Sequence, residues 1–455
     1  MLLNSVMERF CKECPVSVMT RATLEFALEP GWVDALFERV AGSQYTRQLT
    51  LSMMVDLMAP VVCGFRKSVH SAYQKTPTEI GASIAAVYEK LAHIETGVSE
   101  ALVRESSARL AEVIDAMPGG RRKPLIAGYH TRILDGNCLA ATEHRLQALR
   151  KIAAGPLPGK SLVVLDPERM LIRDLFACED GHSQERSLLG PVLESVRRKD
   201  LWIADRNFCT AGFLRGIHDR GASFIIRHHR GMDYVACSPW KEIGMSETGY
   251  ILERTVKIQD TQGRGWMLRM IRIRLAEPTR DGDEEIELLT NLPVGINAER
   301  IANAYRCRWT LETAFMHLTT TLHCEINTLG YPKAALFGFC VAAMSYNVLA
   351  VTRAALRSRH GATKGDEEIS LYHLTDDIVG NYRGMDIALP PPAWKKYRKC
   401  TPRQLAADLL DLAGKVNLRR YRKAKRGPKK PPPKRSYARN TPHVSTKRIL
   451  NTQLH

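Results

Sequence analysis

Over residues 1–118 apolar positions recur at three-to-four spacing, most plainly in LTLSMMVDLMAPVVCGF, IGASIAAVYEKLAHI and ALVRESSARLAEVIDAM, with Pro and Gly at the joins. That period predicts a helical N-terminal domain. The run from Pro118 to Pro124 (PGGRRKP) breaks it and reads as a boundary. Shorter apolar and alternating runs follow. TRILDGNCL, SLVVLDPERM, MLIRDLFACE, LWIAD and SFIIRHH are expected strands, and SLLGPVLESVRRK an expected helix, all within 119–229.

Residues 230–292 keep a strand-like pattern in YVACS, GYILERTVKI, WMLRMIRIRL and EIELLTNL, with TQGRG and RDGDEE as turns. This block is expected to be an all-β insertion. Helical spacing returns within 293–360, as one helix over Ala298–Leu322 and a second over Ala334–Arg357. Asn297 supplies an N-cap to the first, and Glu299 sits in its first turn. Residues 361–414 read as a loop (GATKGDEEIS) and a helix (TPRQLAADLLDLAGKV), and 415–455 as a basic, proline-containing disordered tail. Three early strands, a helix and a strand ending in an acid resemble the opening order of a ribonuclease H-like α/β domain. The expected fold is that core, interrupted by the β-insertion, preceded by helices and followed by the tail.

Charge sharpens this outline. Of a net +18, the segment from Lys415 to Arg448 supplies +14, with fourteen Lys or Arg and no acid. So dense a block of one sign suits an anionic polymer. Eleven scattered cysteines do not suggest a disulfide framework and fit a reducing compartment. No apolar run was expected to reach the roughly 18 residues of a membrane span, and MLLNSVMERFCKEC lacks a basic leader with an apolar core. The expected setting is the bacterial cytoplasm or nucleoid, with no membrane partner.

Three acids then stand out. Asp135 (RILDGNCL) and Asp205 (LWIADRNF) fall at or just past strand ends, where open α/β sheets bind ligands. On the helix expected over Ala298–Leu322, Tyr305, Arg308, Glu312 and Thr319 share a stripe of about 60°, at about 100° per residue. Ala304, Leu311, Phe315, Leu318 and Leu322 form an apolar stripe beside it. One carboxylate with an Arg a turn earlier, facing two strand-end carboxylates, suits divalent-ion work on a phosphodiester, for which ions about 3.5–4 Å apart want hard oxygen ligands. Singly, each acid has an ordinary reading as a turn former or a solvated helix residue.

The stretch LLTNLPVGINAERIANAYRCRWTLETAF resembles the signature region of bacterial insertion-sequence transposases with an Asp-Asp-Glu triad. The resemblance is to the subgroup with a β-strand insertion and a Tyr-x2-Arg-x3-Glu-x6-Lys signature. Tyr305, Arg308 and Glu312 match it, while Thr319 stands where the Lys is expected. DRNF from Asp205 and LDGN around Asp135 resemble the other two acid-bearing segments, and the likeness spans about residues 120–350. It implies that Asp135, Asp205 and Glu312 hold two Mg²⁺ ions, with Mn²⁺ able to substitute. It also implies that Tyr305, Arg308, Arg206, Thr319 and Trp309 contact DNA, and that a homodimer pairs two double-stranded DNA ends in a synaptic complex. The implied activity is cleavage at the element ends and strand transfer into target DNA. A non-catalytic DNA-binding derivative is one alternative, and a nuclease of the same fold that cuts without joining is another.

Several further residues invite both a functional and a structural reading. Asp166 and Glu185 lie near strand ends, and the turn reading is favoured over a supporting role at the site. Cys11 and Cys14 have metal-like spacing without a second pair. His228 and His229 follow a strand, and His317 or His323 are weak substitutes for the missing Lys. Trp266 and Trp309 suit DNA bases, but their apolar area favours the core. The resemblance implies that the N-terminal helices recognise DNA ends; the residues themselves show only modest basic content, such as Arg66, Lys67 and His70, which fits a structural helical cap nearly as well.

Overall fold

A ten-stranded mixed sheet runs through this computed structural model, which describes residues 2–42, 48–75, 77–259, 262–279, 282–320, 322–424 and 442–452. Its strands are β1 (His130–Cys138), β3 (Lys160–Asp166), β4 (Leu171–Cys178), β5 (Asp200–Ala204), β6 (Ser223–Arg227), β7 (Val235–Ala236), β8 (Lys241–Ser246), β9 (Gly249–Gln259), β10 (Gly265–Leu275) and β11 (Glu285–Thr290). A short β2 (Gly155–Leu157) stands outside it. The order is β4-β3-β1-β5-β6-β11-β10-β9-β7, with β8 also on β9. Strands β1, β5 and β6 are mutually parallel and β3 and β4 antiparallel to their neighbours. The block read as a separate β-insertion in fact prolongs the same sheet, because β11 pairs antiparallel with β6.

Side-chain alternation along these strands sorts the interior into two cores. Ile133, Val163, Leu165, Ile203 and Ile225 face one side, and Leu134, Leu162, Val164, Trp202, Ala204 and Phe224 the other. The second side is covered by α9 (Leu189–Ser195) and α10 (Ala211–Asp219); the latter lies outside the helices expected from sequence. The first side carries most of the helices. They are α1 (Leu2–Glu13), α2 (Pro15–Ala27), α3 (Pro30–Val40), α4 (Leu51–Val62), α5 (Val69–Tyr73), α6 (Pro77–Ile80), α7 (Ile84–His93) and α8 (Thr96–Asp115). After the sheet come α11 (Ala298–Arg306), α12 (Trp309–Thr320), α13 (Pro332–His360), α14 (Leu371–Ala388), α15 (Lys395–Lys399) and α16 (Pro402–Gly414).

Helix α13 organises that side. By length and apolar composition it is able to cross a membrane, against the sequence expectation, yet almost all of it is enclosed by protein. Helices α2, α4, α7, α8 and α16 and strand β4 pack around it. The N-terminal helices therefore share one hydrophobic core with the C-terminal helices and the sheet. A helix apolar all round is what such a central position requires.

Two other expectations change. The single helix over Ala298–Leu322 is two helices, α11 and α12, joined at Cys307–Arg308. Between Cys307 and Leu311 the backbone bonds run three residues back, as Arg308 N→Tyr305 O at 2.9 Å and Leu311 N→Arg308 O at 3.0 Å, a tightened turn that shifts Arg308 from the ideal stripe. The expected disordered tail does not hold at its described flanks. Tyr421 is buried with its hydroxyl on Asp377, while β12 (His443–Ser445) pairs parallel with β2 and leads into α17 (Thr446–Thr452). Lys447 and Arg448 pair with Glu179 and Asp180, each at 2.8 Å, so local acids and a strand edge capture the basic chain. Residues 425–441, the centre of the expected tail, lie outside the described residues.

Candidate active site at the carboxyl end of the parallel strands

Register brings the two aspartates together. Strands β1 and β5 pair in parallel up to Leu134 opposite Ala204, and Asp135 and Asp205 are the next residue on each. Asp205 follows the end of β5 as expected, whereas Asp135 lies within β1, which runs on to Cys138 against β3. Neighbouring strands lie about 4.8 Å apart, so two residues far apart in sequence end up side by side. They share the face of Ile133 and Ile203, on which α12 packs. Asp205 ends its strand by capping a tight turn, Arg206–Phe208, where its carboxylate accepts from Asn207 N at 2.7 Å.

Glu312 comes from the first turn of α12, and Arg308 connects it to the strands. Its guanidinium donates through Nη1 to Asp135 Oδ2 at 2.6 Å and through Nη2 to Glu312 Oε1 at 2.7 Å. Asp135 also accepts from Gly136 N at 2.9 Å. The Asp135 and Arg308 side chains are mostly covered, whereas that of Glu312 is 52% exposed, so the cluster opens to solvent on the helix side. Burial pushes the Asp135 carboxyl up to about 6, with Asp205 and Glu312 adding to the rise and Arg308 opposing it. Burial also works against the Arg308 charge, but Tyr305, Asp135, Glu312 and Asp205 outweigh it and hold the cation firmly protonated.

Among the described residues no three His, Cys, Asp or Glu side chains are grouped closely enough, as they stand, to hold a metal ion. Arg308 instead lies between two of the acids as a positive charge. A guanidinium bridging carboxylates occupies the place that hard-cation chemistry needs, and an all-carboxylate donor set is what Mg²⁺ or Mn²⁺ prefers.

The other expected site residues divide between exposed and covered positions. Arg206 is exposed, 4.0 Å from Asp283. Trp309 is 52% exposed one turn before Glu312, against the core reading, whereas Trp266 packs with Phe224 and His218 as that reading expects. Tyr305 is buried beneath Arg308 and bonded to it, and burial pushes its hydroxyl up to about 12. Thr319 is exposed, its hydroxyl returned to Phe315 O at 3.0 Å. His317 is pushed down to about 4 by burial and by Arg353 and Lys423, so it is neutral near pH 7 and a poor stand-in for a lysine. The exposed His323 packs against Gly64.

The remaining candidates have local structural roles. Asp166 accepts from Glu168 N and Arg169 N as a turn former. His228 bonds Glu287 and Met232 O, and His229 accepts from Gly231 N. Cys11 and Cys14 are free thiols, Cys14 donating to Asn381. Sequence reasoning passed over Asn207 and Gly136, although an Asp with an Asn two residues on is a local signal for the Asx-type turn seen here.

Residues 128–348 match a family described as the transposase DDE domain. No curated protein matches the chain. A solved piggyBac transposase synaptic complex with hairpin DNA aligns over 89% of this chain and 86% of its own, at 10% identity and a TM-score of 0.36, too remote a likeness to build on.

Proposed function

This chain carries a transposase DDE domain over residues 128–348, and from that premise we propose that it is a transposase that cleaves DNA at insertion-sequence ends and joins the freed ends to target DNA. The observation that carries the reading is that Arg308 links Asp135 on β1 to Glu312 on α12, with Asp205 beside Asp135 where the parallel pairing of β1 and β5 ends. The sheet with helices on both faces is consistent with a ribonuclease H-like core.

Asp135, Asp205 and Glu312 are the residues that would hold two Mg²⁺ ions, or Mn²⁺ in their place. Such ions, when bound, make water a nucleophile near neutral pH and stabilise the leaving oxygen. Water attacks the phosphodiester at the element end, the bond from phosphorus to the 3′ oxygen breaks, and a 3′-hydroxyl is released. That hydroxyl attacks a phosphorus of a second strand, whose own bond to its 3′ oxygen breaks and releases a new 3′-hydroxyl, with no covalent link between protein and DNA. Arg308 has two tasks in sequence. It neutralises Asp135 and Glu312 in the free protein, and its planar fork would suit phosphate oxygens when DNA is bound. Tyr305 holds Arg308 from below. Arg206, Thr319 and the exposed Trp309 face the incoming DNA, Trp309 offering a surface on which a base stacks. A homodimer holding two DNA ends, in the bacterial cytoplasm, completes the reading.

The test is Mg²⁺- or Mn²⁺-dependent nicking of duplex DNA carrying the element's ends. Glu312→Ala is expected to lower the rate at least about 1,000-fold, the scale of losing electrostatic stabilisation at a reacting centre. Nicking that survives this change removes the assignment. Joined products in a target plasmid separate a transposase from a nuclease that only cuts.

A further inference from the structure

Behind the carboxylate cluster, on the other face of the sheet, one charged pair touches the residues that follow both aspartates. Glu185 opens a short turn, Glu185–Leu188, before α9. Its Oε2 accepts from Asn207 Nδ2 at 2.5 Å. The neighbouring Arg186 donates from Nε to Asn207 O at 2.7 Å. Asn207 is the residue whose backbone N–H holds Asp205. Glu185 also lies against Gly136, so closely that a Cβ there would overlap its carboxyl group. Gly136 is in turn the residue whose N–H donates to Asp135. Its φ is not in the left-handed region, so the backbone does not need a glycine there; a side chain at this position would instead displace the Glu185 carboxyl group.

We infer that Glu185 and Arg186 form a clamp that positions Asp135 and Asp205 relative to each other by gripping Gly136 and Asn207. Strand alternation puts Gly136 on the face opposite Asp135, so Glu185 acts through its neighbours and is a positioning residue. The clamp joins two strands through an element distant from both in sequence, which a turn former acting on its own loop does not do. This rests on the reading of Asp135 and Asp205 as ion ligands. Residues that orient ligands in this way typically alter ion affinity or activity by about 10–100-fold.

The experiment uses the full chain, with Mn²⁺ as the probe. Mn²⁺ binding without DNA is followed by electron paramagnetic resonance, and nicking of end-bearing DNA is measured separately. Glu185→Ala is expected to weaken Mn²⁺ binding about 10-fold or more and to slow nicking by a similar factor, with thermal unfolding little changed. Glu185→Gln keeps an acceptor for Asn207 and is expected to restore most of both. Gly136→Ala, which evicts the carboxyl group, is expected to mimic Glu185→Ala. Adding Asn207→Ala to Glu185→Ala should cost little more, since both cut the same link. Unchanged Mn²⁺ affinity in Glu185→Ala overturns the clamp, as does a Glu185→Gln variant as impaired as Glu185→Ala. Both outcomes leave the wider reading standing if Glu312→Ala still abolishes nicking. Nicking indifferent to Glu312→Ala sinks that reading instead.

Discussion

Strands β1 and β5 carry a cluster of acids and arginines at each end, and the two clusters differ in balance and exposure. At the amino end Arg132 lies 3.5 Å from both Asp166 and Asp200, and all three side chains are nearly inaccessible. Arg169 reaches Asp166 at 2.9 Å and Asp115 at 2.7 Å, and Arg121 pairs with Glu168. There three arginines are shared among three buried acids and Asp115. At the other end the guanidinium of Arg308 pairs with Asp135 and Glu312, Asp205 is the nearby third acid, and Glu312 is half exposed. The same residue types therefore make a closed structural network at one end and an open, net-negative site at the other. A surplus of carboxylate oxygens with access to solvent is what distinguishes a place for cations from a folded-in ion pair.

The largest effect that tests this contrast belongs to the closed end. Arg132→Leu leaves Asp166 and Asp200 buried beside an apolar group, and breaking a buried pair costs about 3–5 kcal/mol. Urea unfolding should register that loss. A cost under about 1 kcal/mol would make the two ends alike, since exposed pairs are worth no more.

A smaller effect of opposite sign belongs to the open end. The Asp135 carboxyl, raised by burial from 3.8 to about 6, makes a contribution to stability that is complete below pH 3.8 and lost as pH rises through about 6. The ionised group is thus a burden at neutral pH. Asp135→Asn should stabilise the fold by about 2 kcal/mol at pH 8, with the gain fading toward pH 4, while nicking is lost. Thermal melts across pH check this, and a variant less stable than the parent at pH 8 contradicts it. Stability gained where function is lost is the usual mark of a working site.

The smallest effect concerns the exposed Thr319 on the outer side of α12. Thr319→Lys should leave unfolding unchanged but strengthen DNA binding. The slope of log affinity against log salt should steepen by about one unit, as expected for one added phosphate contact. An unaltered slope would show that this position does not reach DNA.

Much of this was legible in local pattern. Short apolar runs marked β1, β3, β4, β5 and β6, as strands covered on both faces require, and helical spacing marked α4, α7, α8, α13 and α16. Helix α14 escaped notice: its buried positions Leu371, Leu374, Thr375, Ile378 and Met385 are interspersed with Gly380, Gly384 and several acids, which blur the stripe. The tail was misjudged at its ends because charge and proline content describe a chain without partners. Glu179, Asp180 and the edge of β2 supply those partners from elsewhere.

What the amino-acid order alone determined was most of the sheet strands, several of the helices and the chemical types at Asp135, Asp205, Arg308 and Glu312, since periodicity and side-chain chemistry are local properties. Tertiary structure alone decided that Leu134 pairs with Ala204, that a tightened turn swings Arg308 between two carboxylates, and that Glu185 lies against Gly136. Those outcomes depend on strand register and on contacts between distant segments, which become defined only when the chain buries its apolar faces together.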